Sequence, residues 1–370
     1  MPVPLLDLRA QHAAIRNEVV AAMMAVVDSQ LFILGAAVEQ LERECAALSH
    51  TKYAVGCASG TDALLLALRA LDVGPGDEVV TTPFTFFATA GTIHNVGARP
   101  VFVDIDPATY NIRPDLAAAA RTAKTKAVVP VDLFGQMAPV EQVAAAMSGV
   151  PVIEDAAQSI GARRMIDGEW RMAGEAATIG TFSFFPSKNL GGYGDGGMLV
   201  TQNPQLAERL KRLRMHGGAK QYFHDEVGYN SRLDALQAAV LSAKLPHLAA
   251  WSAKRRENAE YYNAAFADVP EVQTPYIDPA NESIFNQYTL RADRRDELQS
   301  YLKERGIGNS IYYPLPLHLQ PCFAYLGYQE GACPEAERAA REVLSIPIFP
   351  ELTTVQLDEV IAAVRGFYGR

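Results

Sequence analysis

The chain has 370 residues, 49% of them hydrophobic and 20% charged, with a formal net charge of −9. At roughly 150 residues per domain this suffices for a large core and two domains; the balance excludes a disordered chain, and an acidic chain without a contiguous basic face excludes general nucleic-acid affinity. No apolar run approaches the roughly 18 residues that span a membrane, residues 1–7 lack the pattern of an export signal, and Cys45, Cys57, Cys322 and Cys333 show no close metal spacing, so a cytoplasmic, reducing setting is expected.

In chain order, Val38, Leu41, Cys45 and Leu48 recur at helical spacing, which predicts an amphipathic helix ending at Ser49 and His50. Apolar, β-branched segments follow at 53–57, 78–82, 100–104, 127–131, 150–155, 178–185 and 198–201, which predicts seven strands. Helical stretches at 61–71 and 140–147 fall between them, so βαβ crossovers and a mostly parallel seven-stranded sheet, covered on both faces, are expected. Pro130 interrupts the fourth strand and would remove a ladder bond from its centre. The basic stretch 209–216, with Leu206, Leu210 and Leu213 on one stripe, predicts a helix whose charged face is solvated. Residues 232–245 read as helix up to Pro246, and 248–266 as another. The chain is expected to divide there, into a large α/β domain over 1–246 that includes the amino-terminal segment, and a smaller α+β domain over 247–370. The latter would hold a strand at 286–292, a helix at 295–305 and a final helix from Thr354.

Three elements in this frame carry chemistry. The run Ser183-Phe184-Phe185-Pro186-Ser187-Lys188 delivers one amine into a glycine-rich turn, and Pro151-Val152-Ile153-Glu154-Asp155 is a buried strand ending in a carboxylate, with Gln158 three residues further on. Ser59-Gly60-Thr61-Asp62 breaks a short strand and opens a helix, exposing free N–H groups and a positive dipole end that suit a phosphate. Taken singly, a lysine after a strand is a solvated side chain, and an aspartate there is a cap or turn former. Together they supply what pyridoxal phosphate requires: an amine to hold the aldehyde as a Schiff base, an acid against the ring nitrogen and a phosphate cradle. Gly192-Tyr193-Gly194-Asp195-Gly196-Gly197 has G-x-G-x-x-G spacing, but it precedes a strand where a dinucleotide fingerprint would follow one. The seven histidines show no metal-ligand clustering and read as surface or substrate-facing groups.

These strings, with Gly76-Asp77-Glu78-Val79, Asn230-Ser231-Arg232-Leu233-Asp234 and Tyr313-Pro314-Leu315-Pro316-Leu317, resemble the DegT/DnrJ/StrS family of nucleotide-sugar aminotransferases over nearly the whole chain. The resemblance implies a fold-type-I, pyridoxal-phosphate-dependent homodimer. It implies Lys188 as the Schiff-base lysine and proton shuttle, Asp155 on the ring nitrogen, Gln158 on the phenolic oxygen and Phe86 stacked over the ring. Gly60, Thr61, Ser183 and, from the second subunit, Asn230 would meet the phosphate. Arg232, Tyr312, Tyr313 and His318 would face substrate. Relatives acting on a 3-oxo-glucuronate often carry histidine where Tyr312 stands, which leaves neutral 3-keto or 4-keto sugars open. The implied reaction has two halves: L-glutamate aminates the cofactor, which then aminates a nucleotide-diphosphate-linked keto-sugar. Two rivals stay open. One is sugar dehydration, whose enzymes replace the lysine with histidine; the other is a regulatory protein that keeps the fold without turnover.

Overall fold

A computed structural model describes residues 2–218, 220 and 222–370. Helices α1 (Leu8–Ser29) and α2 (Ala36–Leu48) lead into strand β1 (Tyr53–Cys57) and helix α3 (Gly60–Ala70). There follow β2 (Glu78–Thr81), α4 (Ala88–Asn95), β3 (Arg99–Phe102), α5 (Pro114–Ala119), β4 (Thr125–Val129), α6 (Val140–Ala146) and β5 (Ile153–Asp155). A hairpin of β6 (Arg163–Ile166) and β7 (Glu169–Met172) precedes β8 (Ile179–Ser183), β9 (Gly197–Thr201), α7 (Pro204–Leu213), α8 (Ala235–Lys244) and α9 (Leu248–Phe266). The remainder carries β10 (Val272–Gln273), β11 (Asn281–Glu282), β12 (Tyr288–Ala292), α10 (Arg295–Glu304), α11 (Pro334–Glu342), β13 (Val343–Ile346) and α12 (Thr354–Phe367).

The large sheet has the order β3-β2-β4-β5-β8-β9-β1, with β9 alone running against its neighbours. Its seam lies between β4 and β5, joined by the parallel bridges Val128–Val152 and Val131–Asp155 and not by a continuous ladder. Pro130 explains the seam. The strand stops at Val129, and the proline, with no N–H to give, serves through its carbonyl, which accepts the Asp155 N–H at 2.9 Å. The seven expected strands and the mostly parallel order are both found.

Strand periodicity sorts the apolar residues to two faces. Val79 and Leu199 pack with α3 residues Leu64 and Leu68, whereas Met198 and Val200 pack with Val38, Leu41 and Leu241 of α2 and α8. Each such fully buried side chain contributes roughly 1.5–3 kcal/mol of transfer free energy. Polar caps fix where helices start: Ser59 Oγ accepts the Asp62 N–H at 3.0 Å, and Asp234 Oδ1 accepts the Gln237 N–H at 2.8 Å. The cap at Asp234 starts α8 at Ala235, three residues later than the sequence pattern places it.

The carboxy-terminal residues form an antiparallel sheet, β10-β12-β13, over a core that includes Tyr262, Tyr288, Leu298, Leu344 and Val360. Val3 joins this core and bridges Ile307, while β11 pairs with β6 of the preceding hairpin. That hairpin turns at Asp167-Gly168 with φ of 51° and 82°, the Asp-Gly signature of a type I′ turn. Among the described residues no helix is long and apolar enough to cross a membrane.

The expected amphipathic helix is α2, with Val38, Leu41 and Cys45 buried; α1 precedes it with weak periodicity, Ile15, Val19 and Val26 being its only buried residues. One expectation is corrected. The basic stretch 209–216 is not a solvated face: Arg214 is buried, donating to Glu42 Oε1 at 2.5 Å and to the Gly56 carbonyl at 2.7 Å. Arg209 bridges Asp72 and Glu226.

Candidate active site

The carboxyl ends of the parallel strands open into a cavity of about 630 Å³. Strand β5 delivers Asp155 to its floor, and the alternation of side chains sends the neighbouring Glu154 to the opposite face. Asp155 is buried; Thr89 Oγ1 donates to its Oδ2 at 2.8 Å and the Ala157 N–H to its Oδ1 at 3.3 Å. Burial raises its pKa, offset in part by the Thr89 and Ala157 hydrogen bonds and by the Lys188 ammonium. Lys188 enters from the turn after β8, held by its N–H on the Phe185 carbonyl at 2.9 Å. Desolvation lowers its amine to about 8, with Asp155 pulling the other way. An amine and an acid that shift each other at the mouth of a sheet are a chemically poised pair.

Around this pair stand the other cavity residues. Ser59, Gly60 and Thr61 form the amino-terminal turn of α3; Ser59 caps Asp62, and the Gly60 and Thr61 N–H groups have no partner among the described residues. Gly60 is required by Ser183, because a Cβ at 60 would lie 2.5 Å from the serine Cβ. Phe86 is 58% exposed and projects its ring into the cavity mouth beside Phe87 and Phe185. Gln158 Oε1 accepts the Phe134 N–H at 2.7 Å and its Nε2 donates to the Tyr313 hydroxyl at 3.2 Å. Tyr312, Tyr313, Leu317 and Gln320 complete the far wall, which is pinned to the sheet domain by the Leu317 N–H on the Pro83 carbonyl at 2.8 Å.

Of the residues singled out by sequence, Gly60, Thr61, Phe86, Asp155, Gln158, Ser183, Lys188, Tyr312 and Tyr313 meet in this one cavity. Asn230 and Arg232 do not line it within one chain. They flank Ser231, whose hydroxyl donates to Asp62 Oδ2 at 2.7 Å and so fixes the segment to the first turn of α3. His318 is a correction: at 1% exposure it sits behind the wall, its Nε2 3.0 Å from Glu337 Oε1. Within a single 3-10 turn, Leu317 faces the cavity and its neighbour therefore faces away.

Sequence reasoning missed Thr89, which holds Asp155. Thr89 lies in the first turn of α4 and its hydroxyl meets that of Thr85, from the loop before the helix, at 3.1 Å; no helical spacing marks the pair in the sequence. It also missed the acid pair beneath the floor. Glu154 and Asp132 are both buried; Asp132 takes the Ala138 N–H at 2.8 Å and the Ser159 hydroxyl at 2.6 Å. Burial pushes Asp132 up to about 6 and Glu154 upward as well, the charge of Asp132 adding to the rise of Glu154. No local spacing in the sequence marks that encounter.

A mostly parallel seven-stranded sheet with a lysine and an aspartate facing each other across its carboxyl edge defines a fold-type-I pyridoxal-phosphate enzyme. A sequence model of the DegT/DnrJ/EryC1/StrS aminotransferase family matches residues 13–365. The chain is 51% identical to a protein of Geobacillus stearothermophilus named pleiotropic regulatory protein, over 100% of this chain and 99% of the relative. It is 45% identical to the UDP-N-acetyl-3-dehydro-alpha-D-glucosamine 3-aminotransferase of Acidithiobacillus ferrooxidans, over 98% and 97%. Among solved structures, S. venezuelae DesV in complex with a ketimine intermediate superposes with a TM-score of 0.96 at 42% identity, covering 100% of this chain and 99% of that one. The protein belongs to the DegT/DnrJ/EryC1/StrS family of pyridoxal-phosphate-dependent aminotransferases.

The residues present fit that cofactor. A deprotonatable amine, a buried carboxylate with no other cation beside it among the described residues, an unclaimed helix start and an exposed aromatic ring border a volume that admits a substituted pyridine and a sugar.

Proposed function

We propose that this aminotransferase moves an amino group from L-glutamate to a keto-sugar carried on a nucleoside diphosphate, in two half-reactions at the cavity centred on Lys188. The carrying observation is that Lys188, Asp155 and the start of α3 line one cavity, although they come from three separate stretches of the sequence. Bound pyridoxal phosphate supplies an electron sink for the carbon that gains or loses the amine.

The chain's own residues do the rest. Lys188 is the amine that would hold the cofactor, and when free of it would serve as the base that moves the substrate's proton. A value near 8 leaves a useful fraction of that amine unprotonated at neutral pH. Asp155, fixed by Thr89 and Ala157, holds the ring nitrogen in its protonated form. The Gly60 and Thr61 N–H groups, the Thr61 hydroxyl and Ser183 bind the phosphate. Phe86 covers one ring face. Gln158 meets the phenolic oxygen with the amide hydrogen that Tyr313 leaves free. Tyr312 and Tyr313 line the sugar's side.

In this reading a second copy of the chain completes the site with Asn230 on the phosphate and Arg232 on a carboxylate or diphosphate, to which a planar guanidinium is suited. Support comes from their place outside the cavity of their own chain, on a segment fixed by Ser231. The glucosamine relative favours an amino-sugar product, and the name of the Geobacillus relative favours a regulator. Incubation with L-glutamate and a panel of uridine- and thymidine-linked keto-sugars separates them: formation of 2-oxoglutarate with an aminated sugar is expected, whereas a regulator gives neither.

A further inference from the structure

Gln158 has only one orientation open to it. The Phe134 N–H is a donor without ambiguity, so the amide atom 2.7 Å away must be the oxygen, and the atom facing Tyr313 must be the NH₂. The tyrosine oxygen therefore receives a hydrogen bond, and its own proton points elsewhere. No other protein partner for that hydroxyl exists among the described residues, and the ring lines the cavity.

We propose that Tyr313 is a hydrogen-bond donor to the phenolic oxygen of the bound cofactor, acting beside Gln158 on the same atom. Two neighbouring donors 3.2 Å apart, each with one hydrogen uncommitted, can converge on a single acceptor about 3 Å from both. An anionic oxygen is the acceptor that gains most from such a pair. Burial pushes the Tyr313 phenol upward, so it stays a donor throughout the neutral range. The edge-on contacts with Phe84 and Tyr312, at centroid distances of 6.2 Å and 5.9 Å, hold the ring against swinging away. The inference rests on the cofactor site proposed above.

Donation to the phenolic oxygen favours its ionised form and so lowers the pH at which the Lys188-linked chromophore gives up its proton. The test is a pH titration of the visible band of the holoenzyme, without substrate, in wild type, Tyr313→Phe and Gln158→Glu. Tyr313→Phe keeps the ring and deletes the donor; its midpoint should rise by about one pH unit, the size of one charge-assisted hydrogen bond. Gln158→Glu deletes the neighbouring donor and should raise the midpoint as well, which gives the reference size for one lost donor at this oxygen. An unchanged midpoint in Tyr313→Phe would overturn the role of Tyr313 alone. A wild-type holoenzyme with no pH-sensitive visible band would instead overturn the site at Lys188. If Tyr313→Phe does not retain cofactor, 3-fluorotyrosine at position 313 decides, because a more acidic phenol donates more strongly: a lower midpoint supports the proposal and an unchanged one refutes it.

Discussion

The floor and the far wall of the cavity are built by different means. On the floor, Asp155, Gln158 and Lys188 come from strand ends and the turns that follow them, and each side chain's direction follows from strand alternation and a few backbone contacts. The wall between Tyr312 and Gln320 comes from a distant part of the chain and is held by single tertiary contacts, such as Leu317 on Pro83 and His318 on Glu337. The floor should therefore govern chemistry and cofactor capture, and the wall, the Tyr313 hydroxyl apart, should govern fit and stability.

The largest expected effect tests the floor. Lys188→Ala should lower the single-turnover rate with L-glutamate by at least about a thousandfold, as removal of a nucleophile that also moves a proton does. Stopped-flow absorbance measures it, and a rate within tenfold of wild type would remove the lysine from the chemistry. In the apoprotein, capture of pyridoxal phosphate should accelerate with a midpoint near pH 8, because the neutral amine attacks and Lys188 is depressed to about 8. A midpoint near the ordinary lysine value, about 10.4, would mean that the amine is solvated.

Next in size is the acid pair below the floor. Asp132 has a folded pKa of about 6 against roughly 3.9 when unfolded. The native state therefore binds more protons in that interval, so this contribution is complete below pH 4 and is lost as pH rises through 6. The linkage amounts to at most about 3 kcal/mol for a buried group. Urea unfolding of Asp132→Asn should show a smaller decline in stability from pH 4 to pH 7 than wild type. Equal declines would mean that the Asp132 carboxyl is not raised in the folded state.

Smaller effects sharpen the contrast with the wall. His318→Ala breaks the bond to buried Glu337 and should cost about 1–3 kcal/mol of stability, with substrate KM changed by less than about twofold because the imidazole does not touch the cavity. A large KM increase in a stable His318→Ala protein would return this residue to the substrate side. Phe86→Ala removes a stacking face and should weaken cofactor binding by roughly 1 kcal/mol, about fivefold in Kd. Equilibrium dialysis against pyridoxal phosphate would show it.

Much of the floor was legible in the sequence because its logic is local. A buried apolar run ending in Asp155, a second ending near Lys188 and a serine-capped helix start at Gly60 each announce themselves within ten residues. The wall was only partly legible. Tyr312 and Tyr313 reach the cavity, but His318 does not, since which side of a short 3-10 turn faces inward depends on Pro83 and Glu337, residues far away in the chain. The helix α1 escaped notice because few of its residues are buried. The ionic fate of Arg209 and Arg214 escaped notice because it depends on Glu42, Asp72 and Glu226 in other elements.

By itself, then, the sequence determined the strand and helix periods, the caps and the residue types that pyridoxal phosphate needs, because these are properties of segments a few residues long. Only the tertiary structure decided the sheet order, the seam at Pro130, the hydrogen-bond direction from Phe134 through Gln158 to Tyr313, and the meeting of Glu154 with Asp132. Those depend on which distant atoms come within about 3 Å of one another, the range over which a hydrogen bond acts.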